Sequence, residues 1–475
     1  MRKRLLLLSF AEGAIVMVAE LCGAKLLAPV YGSSLYVWAS VMGVTLGALA
    51  AGYYLGAFLS GKNKKSFNTL FWVLSTAALF NMLMPALSYY AVPRISYLSF
   101  LPGVVLSTVL LLFPAIFLLG AASPLLISLQ TNETNSSGKV SGIVYAVSTT
   151  GGIFATFFCG FYAIPELGLS LSLIISGGLL FSLNIALLKI FRPGTLFMMA
   201  AVLFFDINAL AINNNNLLQN FDGILGTLKV MDEGRSRMLF VNDIVQSEMN
   251  KDSRKSVSGY VKLLDTLIPN TNYKEKALVL GLGAGLTANM LVEKGYETEG
   301  VEFDPRIISI AQDYFFLKPE IKTVSGDARY FLNNAGKKYK IVLFDVFKAE
   351  EQPSHVATVE SLEKLKNNLY TNSLVFINWH GYTRGDKGMG TQILLNTLLK
   401  AGYSVKLTSS SNEEDHRNVM FVASLQPLKT LPFEISEPKE QTKLVNTDDQ
   451  PLLEKHTASA NKAWRLSYLR YYQGK

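Results

Sequence analysis

The sequence predicts a multi-domain chain: an N-terminal polytopic bundle of membrane helices, a small β-hairpin domain, and a C-terminal α/β domain on a mostly parallel sheet. Three observations predict it. Charge is divided unevenly, with 11 basic and 5 acidic residues in 1–213 against 33 and 31 in 214–475, so two solvents are written into one chain. Apolar runs of ~20 residues, the length that crosses ~30 Å of hydrocarbon with every amide satisfied, recur through the first half. Short β-rich runs alternate with helical periods in the second half, as parallel strands joined by crossover helices do. The whole composition agrees, at 475 residues, 50% hydrophobic and 17% charged, with a mean hydropathy of +0.27. Domains are expected at 1–213 (membrane helices, about seven), 214–260 (small β-rich), 261–427 (α/β) and 428–475 (polar tail).

The first apolar run, 5–30, follows Met1-Arg-Lys-Arg and contains Glu12, Glu20 and Lys25. No small-residue cleavage site follows it, so it reads as a retained membrane helix. Runs at 37–59, 67–92, 140–165 and 167–188 are uncharged. The stretch 95–130 holds one span broken by Pro102, Pro114 and Pro124, and 196–212 is a weaker run containing Asp206. Gly43 and Gly47, then Gly52 and Gly56, are spaced for close helix approach, a packing signal. Glu12, Glu20 and Lys25 either line a polar pocket or pair structurally near an interface.

Basic residues set the orientation. Arg2, Lys3 and Arg4, then Lys62, Lys64 and Lys65, then Lys189 and Arg192 fall on one side if every run crosses, which puts the N-terminus in the cytoplasm. An odd number of crossings carries the second half outward; an interfacial seventh run or a re-entrant segment returns it to the cytoplasm. The cytoplasm is the expected side.

In the second half, 226–230 and 237–241 flank Asp232-Glu-Gly-Arg-Ser as a hairpin. Strands are expected at 277–280, 297–301, 321–324, 341–344, 373–379, 403–407 and 419–423, with helices at 286–294, 305–314, 361–368 and 388–399. The two cysteines, Cys22 and Cys159, lie in apolar runs, which leaves no disulfide framework or Cys-based zinc site in the second half. With a net +2 there, a nucleic-acid partner is not expected.

Gly281-Leu-Gly283-Ala-Gly285 directly follows the first strand of the α/β half and opens a helix, a place where backbone approaches a ligand and free amides face it. Glu302 ends the next strand about 20 residues on, where a carboxylate can bind a ribose diol. The G-x-G-x-G spacing favours an adenosyl-sulfonium compound over a dinucleotide. Asp327, in Ser325-Gly-Asp-Ala, and Asp345, closing Ile341-Val-Leu-Phe, end the third and fourth strands. In a Rossmann-like sheet these three acids line one rim, where ligands bind.

The order Phe240-Val-Asn-Asp-Ile-Val-Gln246-Ser, Gly281-Leu-Gly-Ala-Gly, Val301-Glu-Phe-Asp, Gly326-Asp-Ala and Phe344-Asp345 resembles the spermidine synthase family of aminopropyltransferases, over roughly residues 220–425. The membrane half resembles that of bacterial membrane-fused members in Tyr31-Gly-Ser-Ser and the Gly-rich run to Gly56. The resemblance implies a methyltransferase-type Rossmann fold and decarboxylated S-adenosylmethionine as co-substrate. It further implies an amine acceptor such as putrescine, a multi-pass protein of the bacterial inner membrane, and a homodimer left open. It assigns Gln246, Gly281, Gly283, Gly285, Glu302, Asp327 and Ala328 to the donor, and Asp345 to orienting and deprotonating the amine. Soluble members usually carry an Asp where this chain has Ala284, and a second Asp where it has Lys348. Glu350, Glu351 or the Asp448-Asp449 pair could supply the lost charge.

The expected chemistry is an in-line displacement beside a sulfonium, and an alkyl ammonium of reference pKa ~10.4 must first lose a proton to a nearby carboxylate. His355, His380 and Tyr382 are candidate acceptor contacts, with Trp379 as a pocket wall or core residue. His416 stands nearby in sequence and His456 lies in the tail. No H-E-x-x-H spacing occurs, so no metal is expected. Two other readings stay open: an S-adenosylmethionine-dependent methyltransferase, which Ala284 favours, and a polyamine transporter or sensor with a regulatory Rossmann domain.

Overall fold

The computed structural model describes residues 2–31, 35–62, 67–95, 98, 100–131, 137–210, 216–221, 226–347, 352–435 and 442–473. Lys348, Glu350, Glu351, the Gly-Ser-Ser after Tyr31, the boundary near 213 and the His416 side chain lie outside them. The chain divides into two units, 1–215 with 221–227, and 216–220 with 228–475.

The first unit is helical: α1 (Arg2–Tyr31), α2 (Leu35–Lys62), α3 (Phe67–Tyr90), the short α4 (Val92–Ile95), α5 (Phe100–Gln130), α6 (Ser137–Phe158), α7 (Ile164–Leu188) and α8 (Pro193–Leu210). Among the described residues, five segments are long and apolar enough to cross a membrane. The last of them, 137–188, joins α6 and α7 through a π turn, and a shorter apolar helix follows at 193–206. Pro114 and Pro124 lie inside a continuous α5 and Pro102 in its first turn, so the expected break in this span does not occur; packed neighbours let membrane helices absorb proline.

Glycines set the closest crossings. A Cβ on Gly52 or Gly56 of α2 would fall 2.2 Å from Phe117 O or 2.3 Å from Ala121 O of α5, while Gly43 and Gly47 face open space. Glu12 is 2% exposed and accepts from the hydroxyls of Ser148 at 3.0 Å and Ser123 at 3.4 Å, which ties α1 to α6 and α5. Large apolar residues of α6 and the π turn, among them Phe154, Phe157 and Phe161, remain exposed.

The second unit opens with a four-stranded sheet, β1 (Leu217–Phe221), β2 (Leu228–Glu233), β3 (Ser236–Val241) and β4 (Ile244–Asn250), in that order. Gly234-Arg235 turns β2 into β3. Asn242-Asp243, with φ +50° and +63°, turns β3 into β4, as a two-residue hairpin loop matched to strand twist does. Then come α9 (Gly259–Leu267), β5 (Lys276–Leu280), α10 (Leu286–Glu293), β6 (Glu297–Glu302), α11 (Pro305–Phe315), β7 (Lys322–Ser325), α12 (Ala328–Asn334) and β8 (Tyr339–Phe344). α13 (Val359–Leu365), β9 (Leu369–His380), α14 (Met389–Lys400), β10 (Ser404–Ser409), β11 (Asn418–Ser424) and α15 (Leu453–Gln473) complete the unit.

The seven-stranded sheet runs β7-β6-β5-β8-β9-β11-β10. The strands from β5 to β9 are parallel, β11 runs antiparallel to β9, and β10, antiparallel to β11, resumes the common direction. Strand order reverses between β5 and β8, the switch point at which open α/β sheets bind ligands. This is the Rossmann-like, methyltransferase-type arrangement, with apolar clusters on both faces of the sheet. α15 folds against this unit although its composition is polar. Leu453, Thr457, Ala460 and Trp464 recur at helical spacing and are buried, a stripe that averaging hides.

Candidate active site

Register brings the strand ends to one rim. Leu280 pairs with Val301 and with Phe344, Glu302 with Ser325, and Phe344 with Ile377. The next residues are stitched by backbone bonds, Gly281 N–H to Val301 O at 2.8 Å, Asp345 N–H to Leu280 O at 2.8 Å and Gly326 N–H to Glu302 O at 2.9 Å. Gly281, Glu302, Asp327 and Asp345 therefore lie at or just beyond the ends of adjacent strands, at the carboxyl edge of the sheet.

The glycine loop is specified by its backbone. Gly281 sits at φ +85°, and a Cβ there would lie 2.3 Å from Asp345 O. Gly285 sits at φ +75° where a Cβ would meet Leu317 Cδ1 at 2.4 Å. Both conformation and space exclude a side chain. Ala284 is fully buried, and its N–H donates to Ser247 Oγ at 3.3 Å, which ties the loop to β4. Gln246, one residue earlier, is the extra residue of a β-bulge, since Leu239 pairs with Ser247 and Phe240 with Val245. Bulges re-aim side chains beside sites.

Glu302 is 8% exposed and accepts from Gly283 N–H at 3.2 Å and Asp304 N–H at 3.1 Å. Burial pushes its carboxyl above the ordinary range against the pull of those amides. Asp327 caps α12, accepting from Tyr330 N–H at 2.9 Å, and lies 2.9 Å from His355 Nε2. Burial would raise its carboxyl, but His355 and the cap amide outweigh it and hold the group below the usual value.

Asp345 is partly exposed at the rim. Tyr260 OH donates to its Oδ2 at 2.9 Å and Asn378 Nδ2 to its Oδ1 at 2.8 Å. Burial among these neighbours pushes its carboxyl up, and the two hydrogen bonds pull it part of the way back. A carboxylate fixed by two donors, with a raised affinity for a proton, has the properties of a general base. Tyr260 and Asn378 were not anticipated as site residues; their only sequence signal is a helix start after the β-domain and the end of the fifth parallel strand.

The other candidates have different neighbours. His380 is 3% exposed, its ring centroid 5.4 Å from Phe347 and 5.0 Å from Trp464. Tyr382 OH donates to Asp415 Oδ1 at 2.8 Å, and Trp379 packs edge-on to Phe421 in the core. Asp448 pairs with Arg329, Oδ1 at 2.7 Å from Nη1, and its backbone N–H donates to Glu360 Oε2 at 3.0 Å.

No family model matches the chain. The polyamine aminopropyltransferase of Vibrio vulnificus is 35% identical over 111 residues, 22% of this chain and 37% of that protein. Over that stretch the chain is similar to this relative. It is similar also to the N-terminal histidine N-methyltransferase of Emericella nidulans, 32% identical over 128 residues, 26% of this chain and 23% of that one. The chain spans well under half the length of these two relatives. Among solved structures, the spermidine synthase of Thermotoga maritima matches with 14% identity and a TM-score of 0.35, covering 51% of this chain and 87% of that chain.

Proposed function

We propose that the protein is a membrane-anchored aminopropyltransferase that moves the aminopropyl group of decarboxylated S-adenosylmethionine to an amine acceptor such as putrescine. The observation that carries this is Asp345, clamped by Tyr260 and Asn378 beside the glycine loop at the switch point of the sheet. The likeness to the Vibrio vulnificus polyamine aminopropyltransferase supports the substrate class.

In this reading Glu302 receives the ribose diol, Asp327 with Ala328 flanks the adenine, and the backbone of Gly281, Gly283 and Gly285, with Gln246 on its bulge, holds the donor. The donor supplies a sulfonium whose adjacent carbon is electrophilic. Asp345 takes a proton from the acceptor ammonium, freeing the lone pair. The C–N bond forms as the C–S bond breaks, its electron pair staying on sulfur as a neutral thioether. Tyr260 and Asn378 hold the carboxylate in line, and positioning of this kind supplies much of the rate. His355, His380 and Tyr382 keep the lesser role of shaping the acceptor side. The chain's partners are then a small amine and the lipid bilayer, with the α/β half on the cytoplasmic side of a bacterial inner membrane.

Asp345→Asn tests the assignment. Turnover should fall ~10²- to 10⁴-fold with donor binding intact by calorimetry; unchanged turnover contradicts it. A methyltransferase reading is favoured by one observation, the buried Ala284 where an acid would meet an aminopropyl amine, and by the Emericella nidulans relative.

A further inference from the structure

Trp464 and Arg465, adjacent on α15, are both buried, at 7% and 2% exposure. The Trp464 ring lies 5.0 Å from the imidazole of His380, which lies 5.4 Å from the Phe347 ring. Phe347 is two residues beyond Asp345. Side chains alternate along a strand, so His380 shares the face of β9 from which Asn378 donates to Asp345. Arg465 Nη2 donates to Asn242 O at 2.6 Å, at the left-handed turn that starts β4. β4 in turn carries Gln246 and Ser247, whose hydroxyl accepts the Ala284 amide.

The start of α15 reaches the rim by a third route. Leu453 N–H donates to Asn446 Oδ1 at 3.3 Å, and Asn446 Nδ2 donates to Ser354 O and Ala357 O, each at 2.9 Å. These carbonyls flank His355, the partner of Asp327. The docking is close, since a Cβ on Gly390 of α14 would lie 2.4 Å from Thr457 Cγ2. The bond from the buried Arg465 guanidinium to Asn242 O ties α15 to the β3–β4 turn.

We propose that α15 is a positioning brace for the rim. Trp464 sets the Asp345–Phe347 segment through His380, and Arg465 sets β4 against the glycine loop. Both are positioning residues, and the catalytic consequence rests on the aminopropyl-transfer reading above.

The test uses full-length protein in detergent, with amide hydrogen exchange over 242–247 and 344–347, donor Kd, and acceptor kcat and KM. Trp464→Ala should raise exchange over 344–347 and lower kcat roughly 10- to 100-fold, with donor Kd within about twofold, and Trp464→Phe should restore most of the rate. Arg465→Met should raise exchange over 242–247 and weaken donor binding, with partial recovery in Arg465→Lys. Unchanged exchange in both segments overturns the brace, as does a uniform rise across the sheet in every variant, which marks general loss of stability. Should Trp464→Ala fail to fold, Trp464→Leu and the Arg465 pair decide by the same readouts. A wild-type protein inactive with every donor contradicts the aminopropyl-transfer reading alone, and the exchange data then decide the brace.

Discussion

Asp345 stands between opposing effects, burial that favours its neutral form and two hydrogen bonds that favour its charge. Removing either donor strips stabilisation from the carboxylate only, so its proton affinity rises further. A base must be deprotonated to act, so the acid limb of kcat/KM should move to higher pH in Tyr260→Phe and in Asn378→Leu. A pH–rate profile of each variant measures this, and an unmoved limb or a shift to lower pH contradicts the role given to the pair. The acids of the rim were legible because each closes a strand or stands within two residues of its end. Tyr260 and Asn378 were not, because they meet Asp345 across separations of 85 and 33 residues, and no local pattern marks a contact of that range.

The glycine loop and the helix crossings make predictions of a different size. Gly281→Ala puts a Cβ on a left-handed backbone and against Asp345 O. The strain and the overlap together should cost about 2 kcal/mol or more, read as a lowered denaturant midpoint with loss of donor binding. In the helical unit, Gly52→Leu should separate α2 from α5, whose backbones touch at that point, whereas Gly47→Leu, facing open space, should leave the detergent melting temperature nearly unchanged. Equal effects at both positions contradict the crossing described. Strands and crossover helices were readable because their periods differ, and α15 was not, because one buried stripe is lost in a polar average. The prolines of α5 misled for the opposite reason: a local breaker was overridden by tertiary packing.

At the scale of the whole molecule, the sequence and the structure agree on an apolar helical unit and an α/β unit carrying the rim; against about seven expected membrane helices, the described residues hold five long apolar segments, because 137–188 runs on through a π turn and 193–206 is short. The uneven charge made that division legible, because lipid and water demand different compositions. A reporter fused after Lys475 should be active only as a cytoplasmic fusion; an active periplasmic reporter contradicts the proposed side. The central claim is the donor. Calorimetric binding of decarboxylated S-adenosylmethionine and of S-adenosylmethionine to the purified full-length protein, each followed by product analysis with a polyamine mixture, tests it most directly. The account predicts tighter binding of the decarboxylated donor and a new, aminopropyl-extended amine; preference for S-adenosylmethionine with a methylated product would contradict it.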